Sequence, residues 1–379
     1  MPGGIMIVAG EASGDLHGAA LAGALRRLAP SCRLFGMGGR GMAAAGVELL
    51  ADVTAIAVVG GSEVVGRLPA LLRTYRTLAA ALAKERPAVL VTIDYPDFNM
   101  RLARAARRAG IPVVYYIPPQ IWAWRTGRVR AIKRCVSLVL AVFPFEVPIY
   151  RRAGVPVELV GHPLVDAVAS APSRQAARAA LGVEAEATAV ALLPGSRRDE
   201  VERLLPVMRE AVQRARATRP GLRVLVAAAP TIARSLLDRH LGSLGGESIV
   251  HEGTHAVVRA ADAALVTSGT ATLETALLGT PMVVAYRVSA ASAALIRTLV
   301  RVPWMSLVNN VLGRAVVPEL FQEQVTCERM GTELVRLLDE PAARSAQRDG
   351  FAELAAAVGA GGVAERAARL VLGRTGTAA

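Results

Sequence analysis

Lysine is nearly absent from the chain. Lys84 and Lys133 are the only two, so the formal net charge of +13 rests almost wholly on arginine. Such a charge suits an anionic partner: nucleic acid, a phosphate-bearing ligand or an acidic membrane surface. The arginines are spread along the chain and form no tail. Aromatic residues make up only 4%, too few for the stacking surfaces of a single-strand nucleic-acid binder, so no nucleic acid is expected as a partner. Cys32, Cys135 and Cys327 are widely spaced without a C-x-x-C, which argues against a disulfide framework or a cysteine zinc site and fits a reducing cytoplasm. The longest clearly apolar run, "CVSLVLAVFPF", is far short of the roughly 20 residues that span a bilayer. The opening "MPGGIMIVAGEASGD" has no basic n-region and reads as a first strand, not a signal peptide. No D-x-D occurs, so the usual carboxylate pair that holds a metal against a nucleotide diphosphate is missing.

What is there is a large apolar fraction, 53% of 379 residues, enough for two domains and inconsistent with wholesale disorder. Short β-branched runs recur between alanine- and arginine-rich stretches. In the first half they fall at 4–10, 32–39, 88–94, 112–117, 137–143 and 157–161; after residue 186 they restart at 187–195, 222–230, 263–269 and 281–287. Strands without polar alternation, separated by helices, indicate parallel sheets covered on both faces. The restart predicts an α/β chain of two doubly wound, Rossmann-like domains facing a central cleft, joined within 161–188. The expected divisions are 1–170, 171–345 and a C-terminal helical segment, 346–379. In such sheets ligands bind beyond the carboxyl ends of strands, at the topological switch point.

The turns after the strands carry the polar groups. "LLPGSRRDEV" (192–201) presents Gly195, Ser196 and Arg197 at a helix N-terminus, a site for phosphate oxygens or a plain strand-to-helix turn. "VTSGTATLETALLGTP" (266–281) repeats the design with Ser268, Gly269 and Thr270, and places Glu274 one turn into the helix. Glu274 would repel phosphate and suits the hydroxyls of a ribose or sugar, or simply compensates the helix dipole. "AGEASGDLHGAALAGALRR" (9–27) has Gly10, Gly14 and Gly18 instead of a dinucleotide fingerprint. Its Glu11, Ser13 and Asp15 suit a hydroxyl-rich ligand. "TIDYPDFNMR" (92–101) puts Asp94, Asp97 and Asn99 just past a strand, where a carboxylate serves as a general base or as a helix N-cap. Trp122, Trp124 and Arg125 are placed to line an apolar pocket with a basic rim. "HEGTH" (251–255) matches the zinc motif H-E-x-x-H. Gly253 breaks the helix that motif needs and Thr254 reads as an N-cap, so no metal is expected.

"GSEVVGRLPALLRTY" (61–75) sets Val64, Val65, Leu68, Leu71, Leu72 and Tyr75 on one broad helical stripe beside Arg67, Arg73 and Arg76. Pro69 predicts a break, with one helix ending at Leu68 and another starting at the proline. On its own the stripe reads as core-facing.

Taken together, "AGEASGDLHGA", "FGMGG", "DYPDFN", "WAWR", "VGHPLVD", "LLPGSRRDEV", "SGTATLE", "PMVVAYR" and "SLVNNVLGRAVVPELFQE" occur in an order that resembles the lipid-A-disaccharide synthase family. The resemblance spans residues 8 to about 324. It implies a GT-B glycosyltransferase, with no metal or cofactor. The transfer is inverting, from UDP-2,3-diacylglucosamine to the 6-hydroxyl of 2,3-diacylglucosamine 1-phosphate, giving a β-1,6 bond and UDP. By this resemblance Asp97 is the catalytic base, and Glu11, Ser13, Asp15, Asn99, Trp124 and Arg125 shape the acceptor cleft. Gly195, Ser196, Arg197, Ser268, Gly269, Thr270, Glu274 and Asn309 hold UDP. Pro118 and Gln120 depart from the small hydroxylated residues of some members and are assigned no role.

Both substrates are acylated, so Val64, Val65, Leu68, Leu71 and Leu72 then read as a membrane contact on the inner face of the inner membrane. The C-terminal helices pack back on the first domain or on a partner subunit, and a homodimer is suggested. The rival readings are a UDP-N-acetylglucosamine transferase acting on another lipid-linked acceptor, a UDP-sugar epimerase, and a nucleic-acid-binding module.

Overall fold

The computed structural model describes residues 3–52, 64–119, 127–244, 248–299 and 303–376. The chain divides into two compact units, Met1–Asp166 with Val358–Ala379, and Ala167–Ala357. The expected boundary at 345 is corrected. Residues 346–357 stay with the second unit, and only the last helix joins the first.

The first unit alternates β1 (Ile5–Ala9), α1 (Ala12–Leu28), β2 (Leu34–Gly38), α2 (Arg40–Ala44), β3 (Glu48–Asp52), α3 (Val64–Glu85), β4 (Val89–Ile93), α4 (Pro96–Arg108), β5 (Val113–Tyr116), α5 (Arg128–Cys135), β6 (Leu138–Ala141), α6 (Glu146–Arg152) and β7 (Val157–Leu159). The strands form one sheet in the order β3-β2-β1-β4-β5-β6-β7, parallel at each pairing. Every residue of β1, β2, β4, β5 and β6 is buried, as a sheet covered on both faces requires. A short helix, α7 (Leu164–Ala169), crosses the boundary between the units.

The second unit follows with α8 (Arg174–Ala180), β8 (Ala189–Leu193), α9 (Arg198–Thr218), β9 (Arg223–Ala227), α10 (Arg234–Leu241), β10 (Ser248–His251), α11 (Thr254–Ala260), β11 (Ala263–Thr267), α12 (Thr270–Leu277), β12 (Met282–Tyr286), α13 (Ala290–Leu299), α14 (Leu307–Leu312), β13 (Glu319–Phe321), α15 (Cys327–Asp339) and α16 (Pro341–Val358). Its sheet runs β10-β9-β8-β11-β12-β13, again parallel.

The chain closes with α17 (Val363–Leu372), which packs on α1 within the first unit. The Asp166 carboxylate accepts from the backbone N–H groups of Gly362 (2.6 Å) and Ala364 (3.3 Å), and the Arg366 guanidinium donates to the Val160 carbonyl. These bonds fasten the terminal helix to the end of β7.

Pro69 does not break α3, which runs through it. The proline lies in the second turn, where it removes one i→i−4 bond, and the apolar face beyond it supports the helix. Leu71 and Tyr75 are half-buried against the core, and Leu78 and Leu82 are fully buried in it. Leu71 is therefore corrected to a core-facing position, whereas Leu72 is 42% exposed. The side chains of Val64, Val65 and Leu68 lie outside the described residues, as do Trp122, Trp124 and Arg125. No helix among the described residues is long and apolar enough to cross a membrane.

Candidate active site

In each sheet the connection direction reverses between two neighbouring strands. In the first unit these are β1 and β4, aligned with Ala9 beside Ile93. The turns that follow them therefore emerge together. Gly10 lies so close to Tyr95 that a Cβ there would sit 2.1 Å from its ring. Glu11 and Ser13 are exposed beside this contact. Asp15 is not available to a ligand in the way the sequence suggests. Its carboxylate accepts from the backbone N–H groups of Gly39 (2.6 Å), Gly41 (2.9 Å) and Met42 (3.0 Å), capping the start of α2.

Past β4 the backbone turns left-handed at two successive non-glycine residues, Asp94 (φ 46°) and Tyr95 (φ 47°). Asn99 holds that turn. It is fully buried, and its amide donates to the carbonyls of Asp94 and Ile93, so its expected place in the cleft lining is corrected to support from beneath. Burial, with the Glu11 charge second, pushes the Asp94 carboxyl up to about 6. Asp97 occupies the second position of α4, after Pro96, and the N-cap is Tyr95. The Asp97 side chain is 79% exposed and paired with the Arg128 guanidinium at 2.5 Å.

In the second unit the reversal lies between β8 and β11, with Leu193 beside Val266. The turn after β8 has an internal occupant. The Glu200 carboxylate accepts from the N–H groups of Ser196 (3.0 Å) and Arg197 (3.2 Å) and pairs with the Arg197 guanidinium (2.8 Å). This is a capping box, so an arriving anion must compete with a carboxylate already on those amides. The Arg197 side chain remains 61% exposed.

After β11, the Ser268 hydroxyl donates to the Met305 carbonyl at 2.8 Å. Gly269 adopts φ 148°, and the space a Cβ would occupy is open. The backbone here, not crowding, requires the glycine. Thr270 is exposed, and Glu274 lies half-buried with the His255 imidazole 3.9 Å away. Asn309 is corrected outright. Its amide donates to the Val317 carbonyl (2.9 Å) and the Glu319 carboxylate (2.7 Å), and its oxygen accepts from the N–H groups of Val316 (2.8 Å) and Val317 (3.0 Å). It pins the loop before β13 and has no capacity left for a ligand.

The H-E-x-x-H match is not a helical pair. His251 ends β10 and His255 lies in α11, which starts at Thr254 with Gly253, not Thr254, as its N-cap. No cluster of three potential metal-ligating side chains occurs among the described residues. Sequence reasoning gave Glu200 no role, although a Glu three residues after the turn residue is the capping-box spacing. It also overlooked the arginines around Asp97, whose signal is a basic residue at each i+4 and i+7 step from that aspartate.

The fold of the chain resembles that of several solved structures. A UDP-GlcNAc 2-epimerase from Neisseria meningitidis, bound to UDP-GlcNAc, superposes with a TM-score of 0.69 at 11% identity over 97% of this chain and 99% of that one. CalG4, the calicheamicin glycosyltransferase, gives 0.61 at 17% over 99% and 98%, and MurG of Acinetobacter baumannii gives 0.58 at 14% over 97% and 99%. These likenesses define a GT-B fold, which serves transferases and epimerases alike.

The sequence decides between them. A family model described as lipid-A-disaccharide synthetase matches residues 5–367. The lipid-A-disaccharide synthases of Myxococcus xanthus and Geobacter metallireducens are 47% and 45% identical over 372 and 369 residues, covering 98% and 97% of this chain and 97% and 96% of theirs. The chain belongs to the lipid-A-disaccharide synthase family, whose members are UDP-sugar-dependent hexosyltransferases of lipid A biosynthesis.

Proposed function

We propose that the two switch points divide the reaction between the units. The second unit carries the UDP of the diacylglucosamine donor, with the Arg197 guanidinium on the diphosphate, Gly195, Ser196, Ser268, Gly269 and Thr270 around it, and Glu274 on the ribose. The first unit presents the 6-hydroxyl of 2,3-diacylglucosamine 1-phosphate to Asp97, beside Glu11 and Ser13. The observation that carries this reading is the gathering of exposed polar groups just past the central strands of both sheets. Asp97 removes the hydroxyl proton as the oxygen attacks the anomeric carbon, and Arg128 orients its carboxylate. Asp94 is the second candidate for the base, favoured by a carboxyl whose proton affinity lies close to neutral pH.

The enzyme meets its acylated substrates at the inner face of the inner membrane. Leu72, with the exposed Arg73 and Arg76, belongs to the surface that touches lipid. The decisive test is release of UDP from UDP-2,3-diacylglucosamine with and without the acylated acceptor. Release that depends on acceptor and yields a disaccharide is expected. Release or isomerisation without acceptor would replace this reading with the epimerase one.

A further inference from the structure

The pocket beside Asp97 has no assigned occupant. Its volume is about 220 Å³, and its lining includes Arg101, Arg104 and Arg128 with Met100 and Ile132 among the apolar residues. That is smaller than the roughly 300–1,000 Å³ of sites that enclose a drug-sized ligand, so it suits one group of a substrate. Among the described residues its charged lining is three guanidiniums against the single carboxylate of Asp97. Arg128, from the start of α5, already holds that carboxylate. Arg101 and Arg104 are exposed, and no carboxylate pairs with either among the described residues. Guanidinium forks in such numbers bind the oxygens of a phosphate monoester.

The spacing supplies the rest. Asp97, Arg101 and Arg104 stand at i, i+4 and i+7 on α4, hence on one face, about 6 Å and 10 Å apart along the axis. In a hexose 1-phosphate, C1 and C5 flank the ring oxygen, and C6 hangs from C5. The phosphate and the 6-hydroxyl therefore leave the same edge of the ring, about one helical turn apart. We propose that Arg101, Arg104 and Arg128 form the subsite for the acceptor's 1-phosphate, and that α4 acts as a ruler that sets the 6-hydroxyl on Asp97 when the phosphate is seated. This inference deepens the proposed acceptor side of the reaction and rests on it. It makes the phosphate the feature by which acceptor is told from free diacylglucosamine.

The experiment compares Arg101→Gln and Arg104→Gln with the unaltered enzyme on short-chain 2,3-diacylglucosamine 1-phosphate and on the same acceptor without its phosphate. With the phosphorylated acceptor, each substitution raises the acceptor KM about ten- to hundredfold and leaves kcat and the donor KM nearly unchanged. With the dephosphorylated acceptor, the unaltered enzyme already shows the weakened KM and the substitutions add nothing. Equal losses with both acceptors would overturn the proposal. So would an unchanged KM accompanied by lost binding to phosphatidylglycerol vesicles, which would assign the arginines to lipid headgroups. Asp97→Asn separates the two layers. If it turns over normally, the base assignment falls while the coupling between arginine and phosphate is still read from KM.

Discussion

The Asn99 side-chain amide donates to the Asp94 carbonyl at 2.6 Å, and the Tyr115 hydroxyl donates to the same oxygen at 2.9 Å. Two buried donors thus fix one carbonyl in a turn whose two non-glycine residues are left-handed, a conformation that costs about 1–3 kcal/mol per residue. The strain sits between the central strand β4 and the helix that carries Asp97. It sets where both aspartates point, and this is a reason for an asparagine beneath the site instead of in it.

That arrangement separates the two carboxylates by experiment. Asp97→Asn is expected to lower kcat by about 10²–10⁴-fold while UDP affinity is kept. Asp94→Asn is expected to leave measurable turnover but remove a titration near pH 6 from the acid side of the rate profile. Stability gives a second readout for Asp94. The folded-state pKa of Asp94 is raised above its ordinary 3.8 to about 6, so the folded state binds the extra proton between these values, and stability falls as pH rises through that window. Asp94→Asn should therefore raise the melting temperature at pH 8 and change it little at pH 4. Full loss of activity in Asp94→Asn with a mild effect in Asp97→Asn would exchange the roles.

How far this was legible in the sequence differs between strand and edge. The buried central strands were readable because both their faces are covered, which leaves unbroken apolar runs such as Ile5–Ala9 and Ala263–Thr267. The missed strands β3, β10 and β13 all lie at sheet edges. They carry Glu48, Asp52, Ser248, His251 and Glu319, and an edge strand needs no apolar run to be paired on one side. The turns of the candidate site were legible from their strand–turn–helix setting. Their internal partners were not, because hydrogen bonds from the Gly39 N–H to Asp15 or from the Val317 N–H to Asn309 depend on where the chain returns in space.

The donor turn gives the next prediction. Arg197→Ala and Glu274→Ala are expected each to weaken UDP binding by about 1.5–3 kcal/mol, the worth of a charge-assisted hydrogen bond, measured by calorimetry. Glu200→Gln removes a carboxylate that competes for the Ser196 and Arg197 amides but keeps a side chain able to cap them. It should strengthen UDP binding. Turnover should survive EDTA, since in the proposed reading the Arg197 guanidinium at a helix N-terminus neutralises the leaving diphosphate. Inhibition by EDTA that magnesium or zinc reverses would sink this account.

Leu71 and Leu72 are neighbours with different surroundings, half-buried against the core and 42% exposed. Leu71→Ser should lower stability by an amount approaching the about 2–5 kcal/mol of buried truncations. Leu72→Ser should leave the melting temperature unchanged and weaken association with anionic vesicles, an effect that salt compounds by screening Arg73 and Arg76. Equal destabilisation by both would make α3 wholly a core helix.

His17 and His162 are buried with their rings 6.5 Å apart, edge to face, and Phe143 lies 5.1 Å from His162. Burial holds the His17 imidazole down at about 4; burial and then the His17 charge hold His162 at about 3. His162 Nδ1 also accepts from the Leu164 N–H at 3.2 Å, a bond that a proton on that nitrogen would abolish. Both folded-state values lie below the ordinary 6.5, so the folded state binds fewer protons than the unfolded chain. The stability from keeping the rings neutral is complete above pH 6.5 and is withdrawn as pH falls toward 4, by roughly 3 kcal/mol from His17 alone. His17→Leu keeps an apolar side chain of similar volume and has nothing to titrate. Denaturant unfolding at pH 7.5 and pH 5 should therefore show the unaltered protein losing clearly more stability on acidification than the variant. Parallel losses in the two would mean that acid acts on the first unit through other groups.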